Sequence, residues 1–429
     1  MLLFLLASAI AMPSEKEVQA EYDRVRPVVE EVVGRPLKAI PRLRYAHPGE
    51  AQEVIEAELR EQLANLYPGL AGWMREALAH QAGGGALTSI IGKYGYQSKS
   101  LFVRPRGIAE AAASAKLSDL DEVGVLDVVL AHELAHAVQD QEVDLGARFR
   151  AAADTDAWAA LNATLEGHAV LVATEVARRL GEPEAAVTVG KLQGLAGDGS
   201  TEVSPQLWFN YHTGAEFVAA AAPDPLRPWA LLAAPPTTTG QVFVPSRYGQ
   251  PWPDLRRGPS GWAAAATDLG VNGWTPYTEA LGELALRTSV PTDAPTLEAA
   301  TASLVGGDSW HAGDERGRSA EGEAWTSVDE AGAAALYATL EARAEAVAAG
   351  APRSPVPMTF TVDVRTATSL AYTVVITPSS GLPGEAHGLV TTRGPHTVRM
   401  EVFGLRPKQG AMAAAMEAVL GGLEAVPAQ

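Results

Sequence analysis

The chain has 429 residues, no cysteine, a formal net charge of −18 and only 6% aromatic residues. Without cysteine there are no disulfides, thiolate metal sites or cysteine nucleophiles, so any metal must be held by His, Asp or Glu. The acidic balance argues against nucleic acid or an anionic membrane as partner, because no basic stripe offsets the repulsion.

Residues 1–11 form a short apolar run ending in Ala9-Ile10-Ala11. This reads as a secretory signal peptide without its basic n-region, and it predicts a secreted or periplasmic location. No later apolar run approaches the roughly twenty residues of a membrane span. Helical, charged patterning follows from Ser14 to about residue 35, and a short strand is expected at 43–45. A 3.6-residue apolar repeat over 50–78 breaks near Tyr67-Pro68-Gly69. Gly83-Gly84-Gly85 reads as loop, and the alternation over 96–103, closed by Pro105, suits an edge strand.

Ser118 and the acids after it mark a helix start, with the helix running to about 141. Further helices are expected at 155–180 and 205–222, then a proline-rich loop over 223–253, then helices at 281–287 and 329–349. Past residue 351 the texture becomes strand-like, at 359–364, 371–376 and 397–402, and a helix over 410–423 closes the chain. The expected class is α+β, predominantly helical. A main domain spans 12–350, and a small C-terminal α+β region spans 351–429 and stands apart or packs back on the helices.

The run His132-Glu133-Leu134-Ala135-His136 carries the chemistry. Residues four apart share a helix face, so both imidazoles can present a nitrogen to one ion. Glu133 then reaches the open coordination position and can act as general base on a zinc-activated water. The flanking Val128-Val129-Leu130-Ala131 and Ala137-Val138 make the helix apolar, and buried His and Glu in such a helix need a partner that a metal would supply. A third ligand is required. The candidates are Asp140, Asp144, Asp154, Asp156, Glu166 and His168. Glu166 is preferred because it lies among Leu165, Gly167 and Ala169 on the next strong helix, where Gly167 would permit close approach to the helix of His132 and His136. His168 is the rival, and Asp140, one turn past His136, is expected to orient a ligand. For the oxyanion of a tetrahedral intermediate, the donor candidates are Tyr211 and His212. Leu207, Tyr211, Ala215 and Val218 share helical spacing, so Tyr211 also reads as core, and His212 can pair with Glu216 one turn on. His47, His80, His311, His387 and His396 lack ligand spacing and read as surface or loop residues.

The stretch from His132 to Gln141, with Glu166-Gly167 after it, resembles the gluzincins, the thermolysin-like clan with two His and one Glu. It is more similar to a group of poorly characterised bacterial proteins carrying HELxHALQDQ followed by an EGxA helix. Tyr211-His212-Thr213-Gly214, the run Pro235 to Thr239, Pro245 and Tyr248 extend the similarity, which covers about residues 96–349. The resemblance implies a zincin-like metallopeptidase core in which His132, His136 and Glu166 hold zinc and Glu133 is base and acid. It also implies that Ser100 to Val103 is an edge strand pairing with a peptide or protein substrate. Gly240 stands where the group tends to have Glu, and Val244 where it tends to have His. These departures motivate the alternative of a zinc-binding, catalytically idle relative that acts as an interaction module.

Overall fold

The computed structural model describes residues 13–46, 48–70, 72–87, 91–104, 106–108, 122–192, 205–250, 261–271, 273–290, 294–314, 318–350, 358–377 and 384–424. The expected signal run, the Ser118 helix cap and His47 lie outside them.

The first half is helical. Helix α1 (Glu15–Val33) starts on a capping box in which Ser14 and Glu17 satisfy each other's backbone N–H, and it ends at Gly34 in the left-handed region. Strand β1 (Arg42–Tyr45) follows, then α2 (Pro48–Leu66) and α3 (Gly72–Leu87). The Gly83–Gly85 run, expected as loop, lies inside α3. Strands β2 (Gly92–Gly95) and β3 (Ser100–Val103) pair antiparallel, and β1 pairs parallel with β3. The three-stranded order is therefore β1-β3-β2. This corrects the edge-strand expectation for Ser100–Val103. All four β3 residues are buried and the strand is central, whereas β2 is the edge that faces the next helix.

That helix is α4 (Glu122–Val143), followed by α5 (Leu145–Ala151), α6 (Thr155–Leu180) and α7 (Pro183–Leu192). From Gly124 to Asp140 α4 is buried on nearly every side, and its polar residues there are enclosed together with its apolar ones. α1, α6 and β2 pack against it, and Val25, Val29, Leu130, Leu134, Leu165 and Val172 lie in their shared core. Among the described residues no helix is long and apolar enough to cross a membrane.

Helices α8 (Pro205–Trp208) and α9 (Gly214–Ala221) are joined through a π-helical turn, Phe209–Thr213. The stretch expected as loop over 223–253 contains the short helices α10 (Trp229–Ala233) and α11 (Thr239–Phe243). Then come α12 (Trp262–Leu269), β4 (Thr275–Leu281), α13 (Glu283–Ser289), α14 (Leu297–Ser303), β5 (Leu304–Gly313), β6 (Ser319–Ser327) and α15 (Glu330–Gly350). Strands β7 (Met358–Arg365), β8 (Ser369–Ile376), β9 (Gly384–Arg393) and β10 (His396–Phe403) precede α16 (Ala411–Glu424).

Strands β4 to β10 form one antiparallel sheet in the order β4-β5-β6-β10-β9-β8-β7. The boundary expected at residue 350 thus falls, in sequence, between strands of a single sheet, with β10 pairing to β6 along its whole length. Both faces are covered. Trp310, Ala324, Val398 and Met400 pack with α12 and α16, while Trp325, Leu370, Tyr372 and Val390 pack with α15. His396, expected at the surface, is buried on β10 and hydrogen-bonds Thr326. The class is α+β and mostly helical.

One buried charge makes stability depend on pH. Asp127 of α4 is fully buried beside Arg24 and Glu182, with one carboxylate oxygen lacking a partner. Burial, with the Glu182 carboxylate close by, outweighs Arg24 and pushes its carboxyl up to about 8. A raised acid pKa means that the folded state holds the proton longer than the unfolded chain, so stability is lost as pH climbs from the ordinary carboxylate range towards 8. Asp127→Asn removes that loss. Its melting temperature relative to wild type should be higher at about pH 8.5 than at about pH 5 by roughly 2–4 °C. A difference that does not move with pH would exclude Asp127 as the source.

Candidate metal centre

Two helices build the centre. His132 and His136 lie one turn apart on α4, and Glu166 reaches them from α6. The two Nε2 atoms are 3.1 Å apart, and Glu166 Oε2 lies 3.0 Å from His132 Nε2 and 3.3 Å from His136 Nε2. The three donor atoms fall within 4.8 Å of one another, a convergence that two neutral imidazoles and a carboxylate need to hold one cation. Burial opposes charge on the His136 ring, but the facing Glu166 carboxylate outweighs it and pushes the ring up to about 9. Burial likewise opposes charge on Glu166. There His136 and the hydrogen bonds from both rings win, and its carboxyl is held far below the usual range.

The orientation of His136 is fixed by a residue that the motif does not reveal. Gln139 Oε1 accepts from His136 Nδ1 at 2.8 Å, while its amide nitrogen donates to Leu165 O and to His168 Nδ1, both at 2.9 Å. A carbonyl can only accept, so the nitrogen end of Gln139 must face Leu165. The oxygen end then faces His136 and fixes a proton on Nδ1, so Nε2, whose own proton faces Glu166, is the nitrogen left to bind a cation once that proton is displaced. His168, fully buried, donates from Nε2 to Leu226 O at 3.2 Å, and burial lowers its pKa to about 4. It is a neutral brace for Gln139, and the structure does not bring it to the two His132 and His136 nitrogens. For a divalent metal held by the three donors, Gln139→Leu should weaken binding about 10–100-fold, as loss of a ligand's orienting partner does. Competition against a chelator reads this out, and unchanged affinity would remove Gln139 from the centre.

The acids weighed as ligands serve other ends. Asp140 accepts from Tyr94 Oη at 2.7 Å, Lys99 Nζ at 2.6 Å and the Leu145 N–H at 3.1 Å. It therefore ties the β2–β3 hairpin to α4 and does not orient a histidine, which corrects the expectation for it. Asp144 and Asp154 cap α5 and α6. Asp156 binds the Thr239 hydroxyl at 2.6 Å, pinning the Pro235–Thr239 segment onto α6.

Glu133 is buried and lies against β2. Its Oε2 accepts the Tyr94 N–H, and a Cβ at Gly92 would sit 2.5 Å from Val129 Cγ1 and 3.1 Å from Glu133 Cγ, so the glycine lets β2 pass close over α4. Lys93, held by Glu58 at 2.9 Å, adds a positive charge felt by both Glu133 and Glu166. Tyr211 and His212 sit in the π-helical turn, a local widening that re-aims side chains and recurs at functional sites. The Tyr211 ring lies 5.8 Å from that of His132, and burial beside Glu166 and Glu133 raises its hydroxyl well above the ordinary range. His212 instead packs against Trp208, with ring centroids 4.1 Å apart, and its Nε2 lies 3.4 Å from Glu216. Gly240 of α11 lies beside the Arg247–Glu283 ion pair, where an added Cβ would sit 3.3 Å from Arg247, and Val244 is the C-cap of α11.

Comparison with known proteins adds little to this geometry. No family model and no curated protein matches the chain. Among solved structures, one match is the "Crystal structure of a putative hydrolase with a novel fold from Chloroflexus aurantiacus", at 18% identity. It covers 55% of this chain and 91% of that one with a TM-score of 0.34, a likeness too slight to carry fold or activity across.

Proposed function

We propose that this protein is a zinc-dependent metallopeptidase in which His132, His136 and Glu166 hold the metal. The observation that carries the reading is the convergence of those three donors from two helices, with His136 Nε2 turned inward by Gln139. The donor set is that of a catalytic zinc, three protein ligands with a position left open. When bound, zinc supplies Lewis acidity and lowers the pKa of water towards neutrality.

The chain's own residues supply the rest. Glu133, next to His132 on α4, takes the proton of the attacking water and delivers it to the leaving amine. Tyr211 keeps its proton because burial and two nearby carboxylates oppose ionisation, and it donates a hydrogen bond to the developing oxyanion. β2, the edge strand lying over Glu133, takes the role that the family resemblance suggested for residues 100–103. Gly240 faces Arg247 and Glu283, which hold the segment around α11, so its departure from the group's pattern falls on that ion pair.

Metal analysis of purified protein tests the reading. Wild type should bind one zinc, Glu166→Ala should lose more than about 90% of it, and His168→Ala should keep it with affinity lowered about tenfold. Full zinc in Glu166→Ala would reject the ligand set. A zinc-loaded wild type with no turnover on a broad peptide library would reject the peptidase.

A further inference from the structure

A partly exposed stripe of α6 leads from the metal centre towards the seven-stranded sheet. On α6 the residues Thr155, Trp158, Asn162 and Glu166 are each only partly buried, while most of their neighbours on that helix are buried. Their spacing of three, four and four places them in one stripe, so the open face of α6 leads from Glu166 back towards its N-terminus. There the stripe enters a cavity of about 390 Å³, bounded by Thr155 and Trp158, by Leu63 of α2 and by Glu279 of β4. A second cavity of about 490 Å³ shares Leu66 and Tyr67 with the first and continues along β4. Its walls are aromatic: Trp262 stacks on Trp310 at 6.0 Å, and Trp274 and Tyr277 stand beside them. The Tyr67 hydroxyl donates to Glu279 at 2.7 Å where the two cavities meet.

β4 is an edge strand, paired among the described residues with β5 alone. Thr155 Oγ1 donates to Ala280 O at 2.9 Å, so the backbone of residue 280 points away from β5. In an antiparallel strand alternate residues turn their N–H and C=O to the same side, which turns those of Thr278 and the carbonyl of Pro276 towards the aromatic cavity. An edge strand beside an aromatic cavity fits one kind of occupant: an extended polypeptide that adds a strand and buries a large side chain in the pocket.

We infer that β4 and the aromatic cavity form an exosite for an extended, unfolded polypeptide substrate, continuous with the metal centre along the open stripe of α6. The substrate pairs with Thr278 and places an aromatic or large aliphatic side chain against Trp274 and Tyr277. This inference rests on the peptidase reading for its purpose but not for its test. The consequence is a preference for long unfolded chains over short peptides.

The test separates binding from cleavage. Fluorescein-labelled β-casein, an unfolded protein, is titrated by anisotropy into Glu133→Gln protein, with and without Thr278→Pro or Trp274→Ala. Proline is tolerated on an edge strand whose N–H faces outward, and it deletes the pairing donor. Each change should raise the dissociation constant about tenfold, the effect of removing one well-placed contact. With Glu133 restored, both variants should cleave a tetrapeptide at the wild-type rate while losing about tenfold in kcat/KM on casein. Circular dichroism melts confirm folding, and either variant that folds suffices. Unchanged casein affinity in a folded variant overturns the exosite. Absence of all cleavage overturns the peptidase instead and leaves the anisotropy result standing.

Discussion

Glu133→Gln should bind zinc as wild type does and cleave peptides about 10²–10⁴-fold more slowly, the span that a positioned general base contributes. The substitution is nearly isosteric, and its amide oxygen can still accept the Tyr94 N–H, so β2 should stay in place over α4. None of the three converging donors is altered. Metal content by mass spectrometry and initial rates on one fluorogenic peptide, measured on the same preparation, give the two halves of the result. The loss should fall in kcat more than in KM, because a proton transfer belongs to the transition state. A zinc-loaded variant with wild-type turnover would remove Glu133 from the chemistry, and a variant without zinc would show that its carboxylate shapes the centre.

The sequence was informative where one physical rule acts locally. The helix expected at about 155–180 is found at Thr155–Leu180, where Asp154 caps it and Gly181 ends it. The pairing of His132 with His136 follows from helical geometry alone, and the preference for Glu166 over His168 matches the placement of the donor oxygens. What escaped depends on partners distant in sequence. β5 and β6 are rich in Gly, Ser and Ala, so they show little apolar alternation, and their strand character comes from pairing with β4 and β10. β3 was expected at an edge because Pro105 follows it, yet β1, from some sixty residues upstream, covers that side. Gln139 carries no sequence signal beyond standing three residues after His136. Its role appears only when Leu165 and His168 of another helix close around it. Asp140 sits where a residue orienting His136 would, but the hairpin of β2 and β3 claims it first.

Gly167, expected to let α6 approach α4, packs instead against α9, and the contact between α6 and α9 is made of glycines. A methyl group at Gly167 would lie 2.1 Å from the Gly214 carbonyl carbon, and one at Gly214 would lie 2.1 Å from Ala163 O. Backbone therefore touches backbone where α6 crosses the start of α9, and the π turn that carries Tyr211 hangs directly from this crossing. Gly167→Ala should destabilise the fold by about 3 kcal/mol, the upper end for overpacking, since the clash is with main chain that cannot rotate away. That is roughly a hundredfold in the folded-to-unfolded ratio. Helix propensity acts the other way, favouring Ala by up to about 1 kcal/mol, so the sign of the result measures the crossing itself. Gly421→Ala is the control: that glycine lies in α16 with open space around its Cα, and the change should stabilise by about 0.5–1 kcal/mol. Chemical denaturation gives both numbers. Because Glu166 precedes Gly167 directly, the variant that still folds should also bind zinc more weakly. A Gly167→Ala protein as stable as wild type and with unchanged zinc affinity would show that the helices can part without disturbing the centre, and that the glycine crossing does not set its geometry.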